Sequence, residues 1–129
     1  MKKRNLIIYW VTTVLVSFGM FFSGLVQILH SKQMVDIVSH VGYPLYFLDI
    51  IGVWKILAVI AILAPGYKLL KEWAYAGLFF AMTGAVASHL AIGDGLSEYI
   101  GPLFQTIFIT LSWYFRPASR RILFSKLAQ

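Results

Sequence analysis

Basic residues and long apolar segments alternate along this chain, and this alternation constrains its fold more than any other feature. Nine of the 11 Lys and Arg residues fall within three short stretches, at residues 2–4, 68–71 and 116–126. The segments between these stretches are apolar and long enough to cross a bilayer. Because basic loops mark the cytoplasmic side of a membrane, we expect all three stretches on that side. The pattern predicts four crossings, with the N-terminus and the C-terminus both cytoplasmic.

The composition is typical of a membrane protein without a soluble domain. Of the 129 residues, 60% are hydrophobic and 12% are charged, whereas charged residues make up about 25% of a typical soluble domain. The net charge of +6 comes mostly from basic residues beside apolar segments, where topology and anionic lipid explain them, so we expect no nucleic acid partner. Because the chain has no cysteine, thiol–disulfide exchange, iron–sulfur clusters and thiolate metal sites are excluded.

Four apolar segments of membrane-spanning length predict an all-α integral membrane protein, a bundle of four transmembrane helices. The spans are predicted at residues 6–29, 45–64, 72–92 and 99–115, within a single transmembrane domain over residues 1–129. The first span follows basic residues, as the core of a signal peptide would. It is too long for such a core and no cleavage site follows it, so we expect it to be retained.

Two amphipathic segments accompany the predicted spans. Apolar residues recur at helical spacing over residues 34–41, which predicts a short interfacial helix between the first and second spans. The pair Tyr43-Pro44 is expected to end this helix, because the residue before a proline is disfavoured in helical geometry. Residues 116–129 form a basic amphipathic tail that can lie on the anionic leaflet.

Small residues recur at spacings of three or four along the third predicted span, apart from one adjacent pair. They are Ala74, Gly77, Ala81, Gly84, Ala85 and Ser88. Lipid gives no hydrophobic drive for helix association, so close packing over such small residues is what holds membrane helices together. We therefore expect this face of the third span to pack closely against its neighbours at the centre of the bundle.

Lys55 is the most costly residue within the predicted spans. It lies about ten residues, or roughly 15 Å, from the outer start of the second span, near the bilayer midplane. A lysine at this depth costs about 2.5–3.5 kcal/mol or more unless it is compensated, so Lys55 is expected to face the bundle. Asp49 lies about 240° around the same helix, so another helix is expected to supply the partner of the ammonium group.

The other polar side chains at membrane depth concentrate in the outer third of the predicted bundle. With Lys55 at the floor, they predict a polar pocket that opens toward the outer face. The residues expected to bind a ligand there are Lys55, His89, Asp49, Asp94, Ser88, Gln105 and Gln27. The alternative is a purely structural network, in which these side chains satisfy one another and set the register of the helices.

The sequence contains no motif for hydrolase or kinase chemistry of the kind found in soluble enzymes. No nucleophile elbow and no glycine-rich phosphate loop is present, and the few carboxylates are not arranged in pairs. The histidines at positions 30, 40 and 89 lack metal-binding spacing. We therefore predict no metal site and name no catalytic residue.

Four segments, in order along nearly the whole chain, match a known family pattern. They are Gly52-x-x-Lys55, Ala64-Pro65-Gly66, the run from Leu70 to Gly77, and Gly84-Ala85-x-x-Ser88-His89-x-x-x-Gly93-Asp94. The chain resembles the DoxX-like family of small four-helix membrane proteins, and this resemblance implies the inner membrane of a bacterium. The positions that match the polar pattern of the family are Lys55, Glu72, Ser88, His89 and Asp94. We leave Glu72 out of the site, because it lies at the inner surface, where it can pair with Lys68.

DoxX itself is associated with a membrane complex that passes electrons from thiosulfate to quinone, and the resemblance implies a similar setting. We expect the outer pocket to bind a small, partly apolar ligand such as a quinone, with the chain as an accessory or subunit of a membrane oxidoreductase. No residue is itself an electron carrier, so the redox centre would belong to a partner protein in the bilayer. One alternative is a small transporter or permeation subunit, for which a homo-oligomer could supply the pore that four helices leave too narrow. The other is a non-catalytic membrane assembly or interaction module.

Overall fold

The computed structural model describes residues 2–122, and this part of the chain consists of helices and short connections. The elements are α1 (Lys3–Ile28), α2 (Lys32–His40), α3 (Tyr46–Leu63), α4 (Lys68–Ala91), α5 (Leu96–Tyr114) and a 3-10 turn (Ala118–Arg120). Helices α1, α3, α4 and α5 correspond to the four predicted spans, with ends that differ by four residues at most. The helices α1 and α4 begin earlier than predicted because lysine and arginine, which we assigned to loops, are good helix formers.

The chain is a membrane protein. Within the described residues, three helices are long and apolar enough to cross a membrane, namely α1, α3 and α4. Helix α5 is not among them, because Glu98, Gln105 and several hydroxyl side chains make it more polar. Large side chains on the outward faces, such as Phe18 and Phe80, are 76% and 69% exposed within the chain, as expected where lipid is the solvent.

Helices α1 and α4 lie opposite each other, and each packs against both α3 and α5. The apolar core between the four helices includes Val16, Met20, Val59, Ile62, Leu78, Met82 and Ile109. The short helix α2 contacts α1 and α3. We call the end of the bundle where α1 ends and α3 begins the outer end, following the predicted orientation, and the opposite end the inner end.

Helices α1 and α3 approach each other closely at a pair of glycines. A Cβ atom on Gly24 would lie 2.8 Å from the carbonyl oxygen of Gly52, and a Cβ atom on Gly52 would lie 2.7 Å from the carbonyl oxygen of Gly24. Only glycine allows the two backbones to approach so closely. This contact brings the middle of α3 against the outer half of α1.

The small-residue face predicted for the third span is not where the helices approach most closely. A Cβ atom on Gly77 or on Gly84 would meet nothing within 4 Å, so the expected close packing is wrong at these two positions. Ala74 is buried in the core, whereas Gly77 and Gly84 are exposed. Small residues can leave open space as well as allow close contact, and spacing along one helix does not distinguish the two.

Three helices end at the outer side in the same backbone motif. In each, the backbone N–H two residues beyond the C-cap donates to a carbonyl five residues earlier, the pattern of a Schellman motif. The pairs are Ser31 with Val26 at 3.1 Å, Tyr43 with Val38 at 3.0 Å, and Asp94 with His89 at 2.9 Å. The intervening residue has positive φ in each motif: His30 (54°), Gly42 (89°) and Gly93 (82°). The helix α2 therefore ends at His40, and the positive φ of Gly42 turns the chain away from the helix axis. This end lies three residues before the Tyr43-Pro44 pair, which was expected to end the helix.

Two cationic side chains cover the inner end of α3. The Lys71 ammonium, 1% exposed, donates to the carbonyl oxygens of Ala61, at 2.7 Å, and of Ala64. The Arg120 guanidinium donates to the carbonyl oxygens of Ile62 and Leu63, at 2.9 and 3.4 Å. The last carbonyls of a helix have no partner within the helix and carry partial negative charge. Lys71 and Arg120 therefore supply both the missing hydrogen-bond donors and a compensating positive charge at this end of α3.

Glu72 joins the inner ends of α4 and α5. It accepts hydrogen bonds from Arg116 Nε at 2.8 Å and from Trp113 Nε1 at 2.9 Å. The predicted pair of Glu72 with Lys68 is therefore replaced by contacts with α5 and the segment after it. Within residues 116–122, the predicted amphipathic tail is a turn held to the bundle by Arg116 and Arg120, and residues 123–129 lie outside the described residues.

Hydroxyl groups form a buried network in the inner half of the bundle. Ser112 of α5 hydrogen-bonds to Thr13 of α1 at 2.7 Å and to Tyr75 of α4 at 2.8 Å. Thr13 and Ser112 are fully buried and Tyr75 is 3% exposed. The three hydroxyls satisfy one another and tie α5 to both of its neighbours.

We expect Gly52→Ala to destabilise the protein by about 1–3 kcal/mol, because the added methyl group collides with the backbone of α1. The measurement is the midpoint of thermal unfolding in detergent, followed by circular dichroism. Gly77→Ala is the matched control, since it adds the same methyl group in a helix where no atom lies within 4 Å. Equal midpoints for the two variants would show that the Gly24–Gly52 contact does not hold α1 and α3 together.

We also expect Lys71→Met to destabilise the protein, by about 2–3 kcal/mol, because it leaves buried carbonyls at the end of α3 without a charged donor. Lys68→Met removes a lysine from the same turn of α4 and is expected to change stability by less than about 0.5 kcal/mol. Unfolding by increasing SDS in mixed micelles measures both variants. If Lys68→Met is as damaging as Lys71→Met, the helix cap is not the source of the stability.

Candidate ligand-binding site

A cavity of about 260 Å³ lies at the outer end between α1, α2, α3 and α4. We call it the outer cavity. Most of its wall is apolar, but five side chains with polar groups line it: Gln27, Tyr43, Lys55, Ser88 and His89. A mostly apolar wall with a few convergent polar groups is typical of ligand pockets.

The glycine contact between α1 and α3 places Lys55 at this cavity. Lys55 follows Gly52 by one helical turn, and its ammonium donates to Ser23 Oγ on α1 at 2.9 Å. The residue is 5% exposed, and Ser23 is its one hydrogen-bond partner within residues 2–122. An ammonium group has three donors, so Lys55 retains donors for a further oxygen atom.

Gln27 adds an unused acceptor to the same cavity. It lies one turn beyond Ser23 on α1, and its Oε1 atom is buried without a hydrogen-bond partner in the described part of the chain. A buried polar atom without a partner costs about 1–3 kcal/mol. The cavity thus combines a free donor on Lys55 with a free acceptor on Gln27, an arrangement suited to a ligand that carries a carbonyl or hydroxyl group.

His89 is held in place by Asp94. The Schellman motif at the end of α4 turns the chain back, so that Asp94 Oδ2 lies 2.6 Å from His89 Nδ1. His89 is 7% exposed. When Nδ1 donates its proton to the carboxylate, the neutral ring keeps Nε2 as an acceptor for a ligand.

Asp94 also binds the end of α2. His40 Nε2 lies 2.9 Å from Asp94 Oδ1 and 3.1 Å from Oδ2. A second contact beside it joins Tyr43 Oη to Ser88 Oγ at 2.6 Å. Since Val38 and other apolar residues of α2 line the outer cavity, these two contacts hold α2 over it as a cover.

The hydrogen bonds and charges of this outer network shift the pKa values of Asp94 and His40. Hydrogen bonds from His89 and then His40 lower the pKa of Asp94 below 3.8, and the hydrogen bond to Asp94 raises the pKa of His40 above 6.5. The stabilisation of the folded protein by His40 is therefore complete below pH 6.5, and it is lost as the pH rises through the raised pKa of His40 in the folded protein. The contribution of Asp94 is present above pH 3.8 and is lost as the pH falls through its lowered pKa. The charged contact between α2 and α4 operates between these limits.

The structure separates the seven predicted ligand-binding residues into three groups. Gln27, Lys55, Ser88 and His89 line the outer cavity, and Asp94 supports His89 from its rim. Asp49 lies outside the cavity and pairs with His30 Nε2 at 3.0 Å on the exposed surface. Gln105 also lies outside it, because α5 packs on α1 and α4 away from α2, and its amide fills the space beside Gly19.

Two residues of this region were not predicted from the sequence as part of the site. The sequence places Tyr43 at the end of an interfacial helix and Ser23 in the first span, and both fit the DoxX-like pattern, but neither was predicted to bind a ligand. Ser23 lies four residues before Gln27, on the same face of α1, which is the signal that could have identified it. Tyr43 reaches Ser88 across 45 residues of sequence, and no local pattern indicates such a contact.

A larger, apolar groove of about 590 Å³ lies between α3 and α4 and extends toward the inner end. Ile51, Lys55 and Ala81 line both this groove and the outer cavity. No group of three or more histidine, cysteine, aspartate or glutamate side chains suited to a metal ion occurs within residues 2–122.

A family model described as the DoxX-like family matches residues 11–115. This match covers α2, α3, α4 and α5 completely and most of α1. The searches of curated proteins and of solved structures gave no match.

We expect Asp94→Asn to lower the pKa of His40 toward 6.5, because the amide that replaces the carboxylate carries no charge. Titration of the histidine ring proton by NMR measures this value in detergent micelles. Asp49→Asn is the matched control, since it neutralises an outer-end aspartate that contacts His30 and not His40. An unchanged His40 pKa in Asp94→Asn would contradict the contact between α2 and α4.

Proposed function

Because the chain belongs to the DoxX-like family and is a membrane protein, we propose that it binds a small, partly apolar ligand, such as a quinone, in the outer cavity. We propose further that it serves as an accessory or subunit of a membrane oxidoreductase. The observation that carries the proposal is that two side chains of one mostly apolar cavity retain hydrogen-bonding capacity, namely the remaining donors of the Lys55 ammonium and the amide oxygen of Gln27.

The polar groups of the outer cavity fit the oxygen atoms of a quinone. The carbonyl oxygen of a quinone accepts a hydrogen bond, which the Lys55 ammonium can donate, and the hydroxyl of the reduced form donates one, which Gln27 Oε1 can accept. A bound quinone would supply two-electron, two-proton redox chemistry. Lys55 and Gln27 would bind and orient the oxygen atom from two sides.

His89 would hold a proton beside the ligand. Its Nε2 atom can accept a proton when the ring is neutral, and Asp94 on Nδ1 would stabilise the resulting imidazolium. Since the chain contains no cysteine, an iron–sulfur cluster with cysteine ligands cannot form in it. Electrons would therefore come from a redox centre on a partner protein, and the isolated chain is expected to be inactive.

The proposed location is the inner membrane of a bacterium, with four crossings and both termini in the cytoplasm. Two observations support a fourth crossing by α5. Its Ser112 contacts Thr13 in the inner half of α1, and its Gln105 lies beside Gly19 in the outer half of that helix. The helix α5 therefore runs along α1 through the same depth, and its Gln105 and Ser112 side chains face the bundle, where the other helices shield them.

We expect Lys55→Met to reduce quinone binding at least tenfold, because methionine keeps the length and apolar stem of lysine but loses the donor. Protein purified in mild detergent is examined by native mass spectrometry, with copurifying small molecules identified and added quinone titrated. His89→Ala is expected to bind less quinone as well.

Lys32→Met is the matched control for this experiment, because Lys32 is exposed on α2 and does not line the outer cavity. Thermal midpoints and circular dichroism show whether each variant remains folded. Equal quinone binding by the wild type and a folded Lys55→Met variant would contradict the proposal. In that case, the outer polar groups would be a structural network.

A further inference from the structure

We propose that the ligand of the outer cavity carries a long apolar tail and that this tail lies in the groove between α3 and α4, which it enters sideways from the lipid. This inference rests on the proposed function, since it concerns the same ligand. It narrows the ligand class from small, partly apolar molecules to quinones with a linear hydrocarbon tail.

The sizes of the two spaces support this division. Ligand pockets usually have volumes of about 300–1,000 Å³. The outer cavity, at about 260 Å³, is smaller than this range and suits a head group alone. The groove, at about 590 Å³, lies within the range and adjoins the outer cavity. A ligand with a head and a tail uses both.

Lys55 lies at the junction of the two spaces. Its side chain lines both, together with Ile51 and Ala81. A lysine side chain combines an apolar stem with a polar end, so the stem can contact a tail while the ammonium binds an oxygen of the head group. The boundary between polar and apolar lining therefore falls where a quinone ring would join its tail.

The wall of the groove is suited to a hydrocarbon chain. Ala74, Gly77 and Ala81 form one side on α4, and a Cβ atom on Gly77 would meet nothing within 4 Å. Trp54 and Trp73 lie at its edges and are 63% and 64% exposed. Since large outward-facing side chains of these helices contact lipid, the groove opens to the bilayer, from which a tailed quinone would enter.

The continuity of the groove with the outer cavity favours a ligand tail over a helix of a partner protein. A helix is about 10–12 Å across with its side chains, and it cannot extend into the outer cavity. A hydrocarbon chain is flexible and narrow enough to follow both spaces. Small residues such as Ala74, Gly77 and Ala81 allow close packing of helices in other proteins, but here they leave room for a tail that continues from a bound head group.

The test compares two quinone probes with the same dimethoxy-methyl-benzoquinone ring, one with a decyl tail and one without a tail. The full chain is reconstituted in lipid nanodiscs, and binding of each probe is measured against empty nanodiscs. We expect the wild type to bind the tailed probe at least tenfold more tightly. We expect Gly77→Leu to lose most of this advantage because leucine fills the groove, while its binding of the tailless probe is unchanged. Gly77→Ala is expected to have a smaller effect in the same direction.

Gly101→Leu is the matched control, because it adds the same side chain to α5, which does not line the groove. A Cβ atom on Gly101 also meets nothing within 4 Å. Equal affinities of the wild type for the two probes would overturn the tail assignment, as would a Gly77→Leu variant that keeps the tenfold advantage. Either of these results would indicate that bilayer lipid, and not a ligand tail, fills the groove. If the wild type binds neither probe, the proposed function itself fails and this inference fails with it.

Discussion

The close approach of α1 and α3 at Gly24 and Gly52 is the contact on which the arrangement of the outer half depends. Lipid does not drive helices together, so a membrane bundle is held where backbones can meet and dispersion contacts are dense. This contact sets the register of α3 against α1. It places Lys55 beside Ser23, which lies one turn before Gln27 on α1, so that Lys55 and Gln27 both line the outer cavity.

Polar side chains have different hydrogen-bond partners in the inner and outer halves of the bundle. In the inner half, Thr13, Tyr75 and Ser112 satisfy one another, and Lys71 donates to the last carbonyls of α3. In the outer half, Lys55 and Gln27 retain unused hydrogen-bonding capacity within a cavity. Unused hydrogen-bonding capacity is costly in a membrane, so its presence on two side chains that line one cavity supports binding there.

The long helices could be predicted because a bilayer imposes a length and an apolar composition on any segment that crosses it. A position in the outer half was sufficient to group five of the seven predicted site residues, since four of them line the outer cavity and Asp94 lies at its rim. It was not sufficient for Asp49 and Gln105, because depth does not indicate which side of a helix or which neighbour a side chain faces.

The small residues of α4 show the same limit. Their spacing correctly indicated a common face, but Gly77 lies against open space and the closest contact is at Gly24 and Gly52 on other helices. Glycine permits a close approach without requiring one. Whether it is used depends on the shape of the facing helix, which local spacing does not contain.

The sequence alone determined that this is a helical membrane protein, because the hydropathy and length of each apolar segment are local properties of the chain. The tertiary structure decided which polar groups meet. The contacts of Tyr43 with Ser88, of His40 with Asp94 and of Lys55 with Ser23 join residues 32 to 54 positions apart. Such contacts depend on how each helix is rotated and paired, and packing between helices sets that rotation.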